Sequence, residues 1–312
     1  MRNSSQTKSI LLCFAMMLAC AYSVLAWSAL AQDRVPIVTT TTDLRSLVEA
    51  VGGDRVEVIS LVPAAMDAEE YQPKPQDLLR LKNARLLVRV GLDYDLWLDR
   101  LLAQADNPDL GRDGAGYVDA SFGISVLEVR GLSVGPGHAH GLGNPHYWLD
   151  PKNAEIITST ILEALARRDP ANVSIYEANR LAFLARLETK LSEWETKLAP
   201  LKARPLVAYH NSWPYFARRF RLDFVGFLET KPGVPPSPSH LAAILQTMRA
   251  RAVRIIVREP SQPERDVAFL AGKAGASVVT LAASVGALPR TDDFISLFER
   301  NAEALSAAAS AQ

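Results

Sequence analysis

The sequence predicts an α/β protein with two lobes of alternating strands and helices, each built on a mainly parallel sheet, joined by one long rigid helix. Two observations predict this architecture. Short runs rich in β-branched residues alternate with helical patterns on both sides of residues 169–202, a rhythm typical of βαβ units. Within that stretch, apolar residues recur at gaps of three and four, the spacing of one helix face. The stretch therefore separates two lobes.

Residues 169–202 have the signals of one continuous helix. Asp169 stands where an N-cap is expected, and Pro170 follows at the first helical position. About thirty residues at about 1.5 Å each predict a rod of about 45 Å. Glu193 is spaced to pair with Lys197 on its exposed side. The predicted buried face consists of Leu184, Leu187, Leu191, Trp194 and Leu198.

The predicted lobes span residues 32–168 and 203–312. In the first lobe the patterns predict strands at 35–40, 56–62, 86–90, 116–119 and 124–129, and helices at 43–51, 75–83, 94–104 and 151–167. In the second lobe they predict strands at 206–209, 224–228, 253–258 and 277–281, and helices at 212–220, 239–250, 263–274 and 292–309.

Residues 1–31 have the pattern of an export signal. Arg2 and Lys8 precede an apolar run, residues 10–30, that contains no acidic residue and ends in a small-x-small cleavage pattern. An uncleaved membrane anchor is the alternative, because the run is long for a leader. The cleavage pattern favours the signal peptide, and either interpretation predicts an exported, periplasmic protein.

Both cysteines, Cys13 and Cys20, lie inside this leader, so a mature chain that starts near Gln32 has no thiol and no disulfide. Thiol redox chemistry is thereby excluded. Lipid attachment at Cys20 is an alternative to simple secretion, but the apolar sequence after Cys20 fits a lipoprotein-processing site poorly.

The charge balance and the absence of familiar motifs exclude several classes of function. Of the 34 Lys and Arg residues the leader contains two, and it contains none of the 34 acidic residues, which leaves the rest of the chain about neutral. A neutral chain argues against nucleic acid as a partner. There is no phosphate-binding loop, no GxSxG and no HExxH. A hydrolase would therefore lack an identifiable nucleophile.

Candidate ligands follow the predicted strands, because open α/β sheets bind ligands beyond the carboxyl ends of their strands. His210 comes directly after one strand, and His146 stands just before a helix start in NPHYWLDP. Glu69 and Glu70 follow the second strand. Each residue alone is ordinary, but two histidines on opposite sides of the long helix together indicate a site between the lobes.

Two other groups of residues have competing interpretations. His138 and His140 lie in the glycine-rich stretch GPGHAHG, which is either a metal-gathering loop or, as we favour, a solvated linker. An aromatic group could form a box for an organic ligand, but its helical spacing is more typical of a core. It consists of Tyr147, Trp148, Trp213, Tyr215 and Phe216.

Several motifs together resemble the solute-binding proteins of zinc and manganese ABC transporters. They occur in the order PAAMDAEEYQPKPQDL, LLVRVG, DLWLDRLL, NPHYWLDPKN and VAYHNSWPYFARRF, and they cover essentially the whole mature chain. The resemblance implies two α/β lobes joined by a spanning helix, with a metal held between them. It also implies a membrane ABC permease as partner.

The resemblance implies metal ligands at His146 and His210, whose flanking residues match the family's motifs. Two departures matter. The family usually has a histidine two residues before the tyrosine of its Y-E/Q-P motif, where this chain has Glu69. The family's carboxylate after the last strand would fall near Ala282 or Ala283, and alanine cannot coordinate a metal. The implied ligands are therefore Glu69, His146 and His210.

Two imidazoles and one carboxylate suit a divalent transition metal, with zinc, manganese and iron all admissible. The open position is then filled by water or by a nearby acid, either Glu259 or Asp67. Glu259 could instead orient a histidine through a hydrogen bond.

We therefore predict a monomeric, exported, non-enzymatic receptor that captures a divalent transition metal and passes it to an ABC permease. One rival is a module on the same scaffold that no longer uses a metal ion and binds a metal chelate or a partner protein in the same cleft. A less favoured rival is a non-haem metal enzyme, against which no general base beside the metal can be named.

Overall fold

Two four-stranded parallel sheets, one in each lobe, form the framework of the computed structural model, which describes residues 34–128, 142–202 and 204–311. The strand orders are β2-β1-β3-β4 and β6-β5-β7-β8, so both lobes have the same topology. All pairings between these strands are parallel. The predicted fold is thereby confirmed. The predicted signal peptide and the loop with His138 and His140 lie outside the described residues.

The strands of the N-terminal lobe are β1 Val35–Thr39, β2 Val56–Ser60, β3 Leu86–Arg89 and β4 Tyr117–Asp119. Its helices are α1 Thr42–Gly52, α2 Pro75–Asn83, α3 Trp97–Leu102 and α4 Ala154–Arg168. Strand β3 is buried along its length, as expected for a central strand of a parallel sheet covered on both faces.

The strands of the C-terminal lobe are β5 Pro205–Ala208, β6 Asp223–Phe227, β7 Ile255–Arg258 and β8 Ser277–Thr280. Its helices are α6 Pro214–Phe220, α7 Pro238–Ala250, α8 Glu264–Ala274 and α9 Phe294–Ser310. Within the described part of the chain, every helix is too short or too polar to cross a membrane.

The lobes are joined by helix α5, Val173–Leu198, with a 3-10 turn at each end. Its 26 residues correspond to about 39 Å, so the predicted long helix is confirmed with tighter ends. Asp169 occupies the N-cap position of the 3-10 turn that precedes α5. Its carboxylate accepts hydrogen bonds from the side chains of Asn172 and Tyr176, not from the backbone of that turn. The lobe boundaries at residues 168 and 203 stay a prediction.

Helix α5 packs against α1 and α4 of the first lobe and against α9 of the second. Trp194 stacks on Phe298 with ring centroids 5.4 Å apart, and Leu184 is half-buried. The predicted Glu193–Lys197 pair is wrong, because Lys197 instead contacts Glu299 of α9 at 2.6 Å. The fully buried face consists of Tyr176, Phe183, Leu187, Leu191, Trp194 and Leu198.

Two other predicted elements differ from the structure. Residues 124–128 form no strand, because the chain crosses towards the other lobe there and the backbone N–H of Leu127 donates to the hydroxyl of Tyr215. The predicted helix at 94–104 starts only at Trp97. The Asp95 carboxylate accepts from the side chain of Arg89 and from the N–H of Val90, which holds the preceding residues in a turn.

Candidate metal site

The loops that follow the strands of both lobes line two neighbouring cavities. A small cavity of about 30 Å³ is bounded by residues after β1, β2, β7 and β8. A larger cavity of about 400 Å³ is bounded by residues after β2, β5, β6 and β7. Asp67 and Glu259 line both. The carboxyl ends of the two parallel sheets therefore meet at one polar cleft, the position at which α/β sheets bind ligands.

Three side chains in this cleft have the geometry of a metal-binding group. Potential ligand atoms of Asp67, Glu69 and His210 all lie within 4.8 Å of one another. A 3-10 turn, Ala68–Glu70, presents the two acids together, because Asp67 caps the turn and accepts a hydrogen bond of 2.9 Å from the N–H of Glu69. The first two residues come from the N-terminal lobe and His210 from the C-terminal lobe.

His146 lies beside this group, with its ring centroid 5.4 Å from that of His210. Its Nδ1 is 3.1 Å from the Oδ1 of Asn144. The Asn144 amide nitrogen donates to Glu128 and to the carbonyl of Asn211, so its oxygen is the atom that faces the imidazole. In the neutral imidazole Nδ1 therefore carries the proton, and Nε2 is the nitrogen with a lone pair.

His210 is oriented in the same way by a carboxylate. Its Nδ1 lies 2.5 Å from Oε2 of Glu229, and the other oxygen of Glu229 accepts from the N–H of Gly233 at 2.8 Å. Nδ1 of His210 is then the donor, and in the neutral ring Nε2 again is the nitrogen with a lone pair. One carboxylate thus links the site to the turn that follows β6.

Glu259 lies at the end of β7, where both cavities meet. Its Oε1 accepts a hydrogen bond from the hydroxyl of Ser212, and its backbone N–H donates to the side chain of Gln262. The pKa of Glu259 is raised, chiefly by burial, while the charge of His210 acts in the opposite direction. The Glu259 carboxylate is therefore held by the bond to Ser212 and interacts electrostatically with His210.

The cleft holds more acidic groups than its own cation, His210, can balance. Burial, and then the carboxylate of Asp67, raise the pKa of Glu69 to about 8. The pKa of His210 is raised to about 9, because the bond to Glu229 and the charges of Glu259 and Asp67 outweigh the burial that opposes protonation. A bound dication would neutralise this excess and displace the protons.

Of the two alanines at the family's usual carboxylate position, Ala283 contacts the other lobe and Ala282 contacts its own lobe. The carbonyl of Ala283 accepts a hydrogen bond of 2.9 Å from the indole of Trp148, and the N–H of Ala282 donates to Asn301. Neither has a side chain that can bind a metal. The aromatic group predicted to be core is buried: Tyr147, Trp148, Trp213, Tyr215 and Phe216.

Sequence reasoning missed the partners of the two histidines and one buried acid. Glu229 stands two residues after the end of β6, so the strand-end rule that identified His210 would have found it too. Asn144 stands two residues before His146 and carries no pattern of its own. Asp43, fully buried beside the small cavity, follows β1 but was assigned to a helix start.

Known proteins are similar to this chain over nearly all of its described residues. The family model described as ZnuA, zinc-uptake complex component A, periplasmic, matches residues 37–308. A protein of Treponema pallidum (strain Nichols) is 30% identical over 274 residues, 86% of this chain and 84% of its own length. The manganese ABC transporter substrate-binding lipoprotein PsaA of Streptococcus pneumoniae is 27% identical, with 80% and 79% of the two chains covered.

Among solved structures, a ZnuA deletion mutant with zinc bound is similar to this chain, with a TM-score of 0.76 and 32% identity. The match covers 90% of this chain and all of that one. The protein FpvC of Pseudomonas aeruginosa, solved in complex with Mn²⁺, has a TM-score of 0.77 at 24% identity, over 89% and 99% of the two chains, and therefore shares the fold.

Proposed function

Because this chain belongs to the ZnuA family of periplasmic zinc-uptake components, we propose that it is an exported solute-binding receptor that captures a divalent transition metal between its lobes and delivers it to an ABC permease. One observation carries the proposal. Two imidazoles and two carboxyl groups, contributed by both lobes, converge in one cleft that holds more acidic groups than cations.

We assign Glu69, His146 and His210 as ligands, with the Asp67 carboxylate beside them as a fourth donor. Glu259 is assigned a supporting role, since its oxygen is bonded to Ser212. Nitrogen and oxygen donors of this kind bind zinc, manganese and iron. Names of relatives include each of the three metals: zinc for ZnuA of Bacillus subtilis, manganese for PsaA and iron for MtsA of Streptococcus pyogenes.

The protein's action is then binding and transfer, not catalysis. The ligands must be deprotonated to coordinate, so capture releases protons and weakens at acidic pH. We further propose that the receptor acts as a periplasmic monomer without nucleic acid, in agreement with its balanced charge. Lipid attachment at Cys20 is not part of the proposal.

The test is metal titration of the purified protein by competition with a chelating dye. We expect the His146→Ala and His210→Ala variants to lose affinity for Zn²⁺ and Mn²⁺ by on the order of 100-fold or more, since loss of an orienting partner alone costs about 10–100-fold.

His240→Ala is the matched control, because the His240 ring bonds the carbonyl of Phe227 and lies on helix α7 outside the assigned ligand set. It should bind metal like the parent. Thermal unfolding without metal would verify that all three variants fold. Parent-like affinity in both site variants would refute the assigned site.

A further inference from the structure

The small cavity beside the candidate metal site contains an acid that the ligand set does not use. Asp43 is the second residue of helix α1, just beyond the end of β1, and its side chain is fully buried. Its Oδ1 accepts a hydrogen bond of 2.9 Å from the N–H of Val285 in the other lobe. Its Oδ2 is buried as well and has no hydrogen-bond partner among the described residues.

The surroundings of Asp43 connect it to the metal site. The cavity that it lines is also lined by Asp67, His146 and Glu259, and its volume of about 30 Å³ leaves room for one or two water molecules. None of the described residues around it is Lys or Arg.

A buried carboxylate oxygen without a donor is costly, unless a cation or a donor supplied with the ligand compensates it. Burial raises the pKa of Asp43 to about 7, against two backbone hydrogen bonds that lower it. The group that would stabilise Oδ2 of Asp43 is therefore a hydrogen-bond donor that arrives together with a positive charge.

We propose that Asp43 holds a water ligand of the captured metal ion, and so supplies a further coordination position on the side that Ala282 and Ala283 leave without a carboxylate. The inference rests on the proposed function, because it needs a metal bound at His146 and His210. A metal-bound water donates its hydrogens, and the open Oδ2 is an acceptor in a space of the right size.

The inference has a consequence for metal preference. Zinc is satisfied by four tetrahedral protein ligands, whereas manganese prefers six donors rich in oxygen. A water position held by Asp43 therefore favours Mn²⁺ over Zn²⁺ relative to a site without it.

The test uses Asp43→Asn. The amide oxygen still accepts from Val285, but the amide nitrogen then presents hydrogens to a water that needs an acceptor. We expect the Mn²⁺ affinity to fall about 10–100-fold and the Zn²⁺ affinity to fall clearly less. In ¹⁷O-labelled water, the electron paramagnetic resonance lines of Mn²⁺ bound to the parent should broaden, and the variant should broaden less.

Ser46→Ala is the matched control, because Ser46 lies on the same helix and its hydroxyl accepts from the N–H of Phe294 in the other lobe, at 3.0 Å. If Asp43 acted only by joining the lobes, Asp43→Asn, which keeps the bond to Val285, would bind Mn²⁺ like the parent. Ser46→Ala measures how much the loss of one bond between the lobes weakens metal binding. Equal losses in the two variants, or an Asp43→Asn variant that binds Mn²⁺ like the parent, would overturn the inference.

The parent and His146→Ala separate this inference from the proposed function. A parent that binds no metal, or a His146→Ala variant that binds as the parent does, would overturn both. Parent binding that is lost in His146→Ala but unchanged in Asp43→Asn would overturn the role of Asp43 alone. A metal-bound crystal with Asp43 in direct coordination and no water would also refute it.

Discussion

The Nδ1 of each histidine of the site donates a hydrogen bond, and the two acceptors differ in charge. Asn144 provides a neutral amide oxygen for His146, and Glu229 provides a carboxylate for His210. Both arrangements fix the ring, and in the proposed site they would direct Nε2 to the metal. Only the carboxylate also stabilises a protonated ring. The bond to Glu229 is thus one reason that the pKa of His210 is raised to about 9.

Replacement of Glu229 by glutamine should therefore weaken metal binding in a pH-dependent manner. The variant loses the charge that makes His210 a stronger donor, so we expect a loss of about 10–100-fold at pH 9. At pH 7 the loss should be smaller, because the pKa of His210 falls and its proton is displaced more easily. Competition titrations with Mn²⁺ at the two pH values would measure this.

Glu57→Gln is the charge-matched control for this substitution, since Glu57 is exposed on strand β2. It should leave the affinity unchanged at both pH values. A Glu229→Gln variant with the same loss at pH 7 and pH 9 would contradict the assigned role in His210 protonation.

The strand-end rule identified Glu69, His210 and Glu259 as candidates, because ligands bind beyond the carboxyl ends of parallel strands. These residues follow strands of two different sheets, so it was the resemblance to metal-binding receptors that predicted one site between the lobes. The partner of each histidine was not predictable in the same way. Glu229 lies beside His210 because β6 is the neighbour of β5 in the order β6-β5-β7-β8, and strand order is a property of the tertiary fold. Asp43 was missed because a helix start usually places an acid in solvent.

Helix α5 connects the lobes through contacts on both. On the first lobe, Asn179 donates to the carbonyl of Val51 and Arg180 to that of Glu155. On the second, Lys197 and the indole of Trp194 both bind the carboxylate of Glu299. The periodicity of residues 169–202 predicted the helix, but not these partners, because an exposed lysine has several acids within reach of its side chain.

The lobes are also joined directly, close to the site. The hydroxyl of Tyr215 donates to the carbonyl of Asn144, and Arg219 contacts Asp150 at 2.7 Å. Together with Trp148 and Ala283 these contacts flank the cleft. Such packed, hydrogen-bonded interfaces permit small shear more readily than a wide hinge motion.

We therefore expect metal capture to change the distance between the lobes by only about 1–2 Å, the scale of shifts between packed helices. Both cysteines lie within residues 1–31, so a protein produced from residue 32 onward has none. A double variant, Asp54→Cys with Arg265→Cys, can then be spin-labelled cleanly at two exposed positions, one in each lobe. Pulsed electron resonance with and without Zn²⁺ would give the distance.

Asp54→Cys with Asp106→Cys reports within one lobe and serves as control. An interlobe change of about 5 Å or more would contradict the interpretation of α5 as a rigid connection between the lobes.

The charges of the whole molecule balance, but acidic groups are concentrated in the cleft. The chain has 34 basic and 34 acidic residues, yet five acids lie in or beside the cleft: Asp67, Glu69, Glu70, Glu229 and Glu259. The pKa of Glu70 is raised by burial and by Asp67 and Glu229. Without metal, the folded state therefore holds these groups at a cost that the unfolded chain avoids.

This distribution predicts how the stability of the metal-free protein depends on pH. The pKa values of Asp43, Glu69 and His210 are raised on folding, to about 7, 8 and 9. A raised pKa contributes stability below the unfolded value and loses it as the pH rises through the folded value. The pKa of Glu299, lowered to about 2, acts in the opposite direction, but its effect is confined to pH below about 5.

The melting temperature of the metal-free protein should accordingly fall between pH 5.5 and pH 8.5, by roughly 2–4 °C for each kcal/mol lost. Saturating metal should reverse the fall, because the dication replaces the protons; at 100 times Kd it adds about 2.7 kcal/mol. The metal-induced increase should thus be larger at pH 8.5 than at pH 5.5, where protons compete for the ligands.

Differential scanning calorimetry would measure both profiles, and Glu69→Gln should flatten the metal-free one. A metal-free protein that melts higher at pH 8.5 than at pH 5.5 would show that the cleft is not the dominant titrating region.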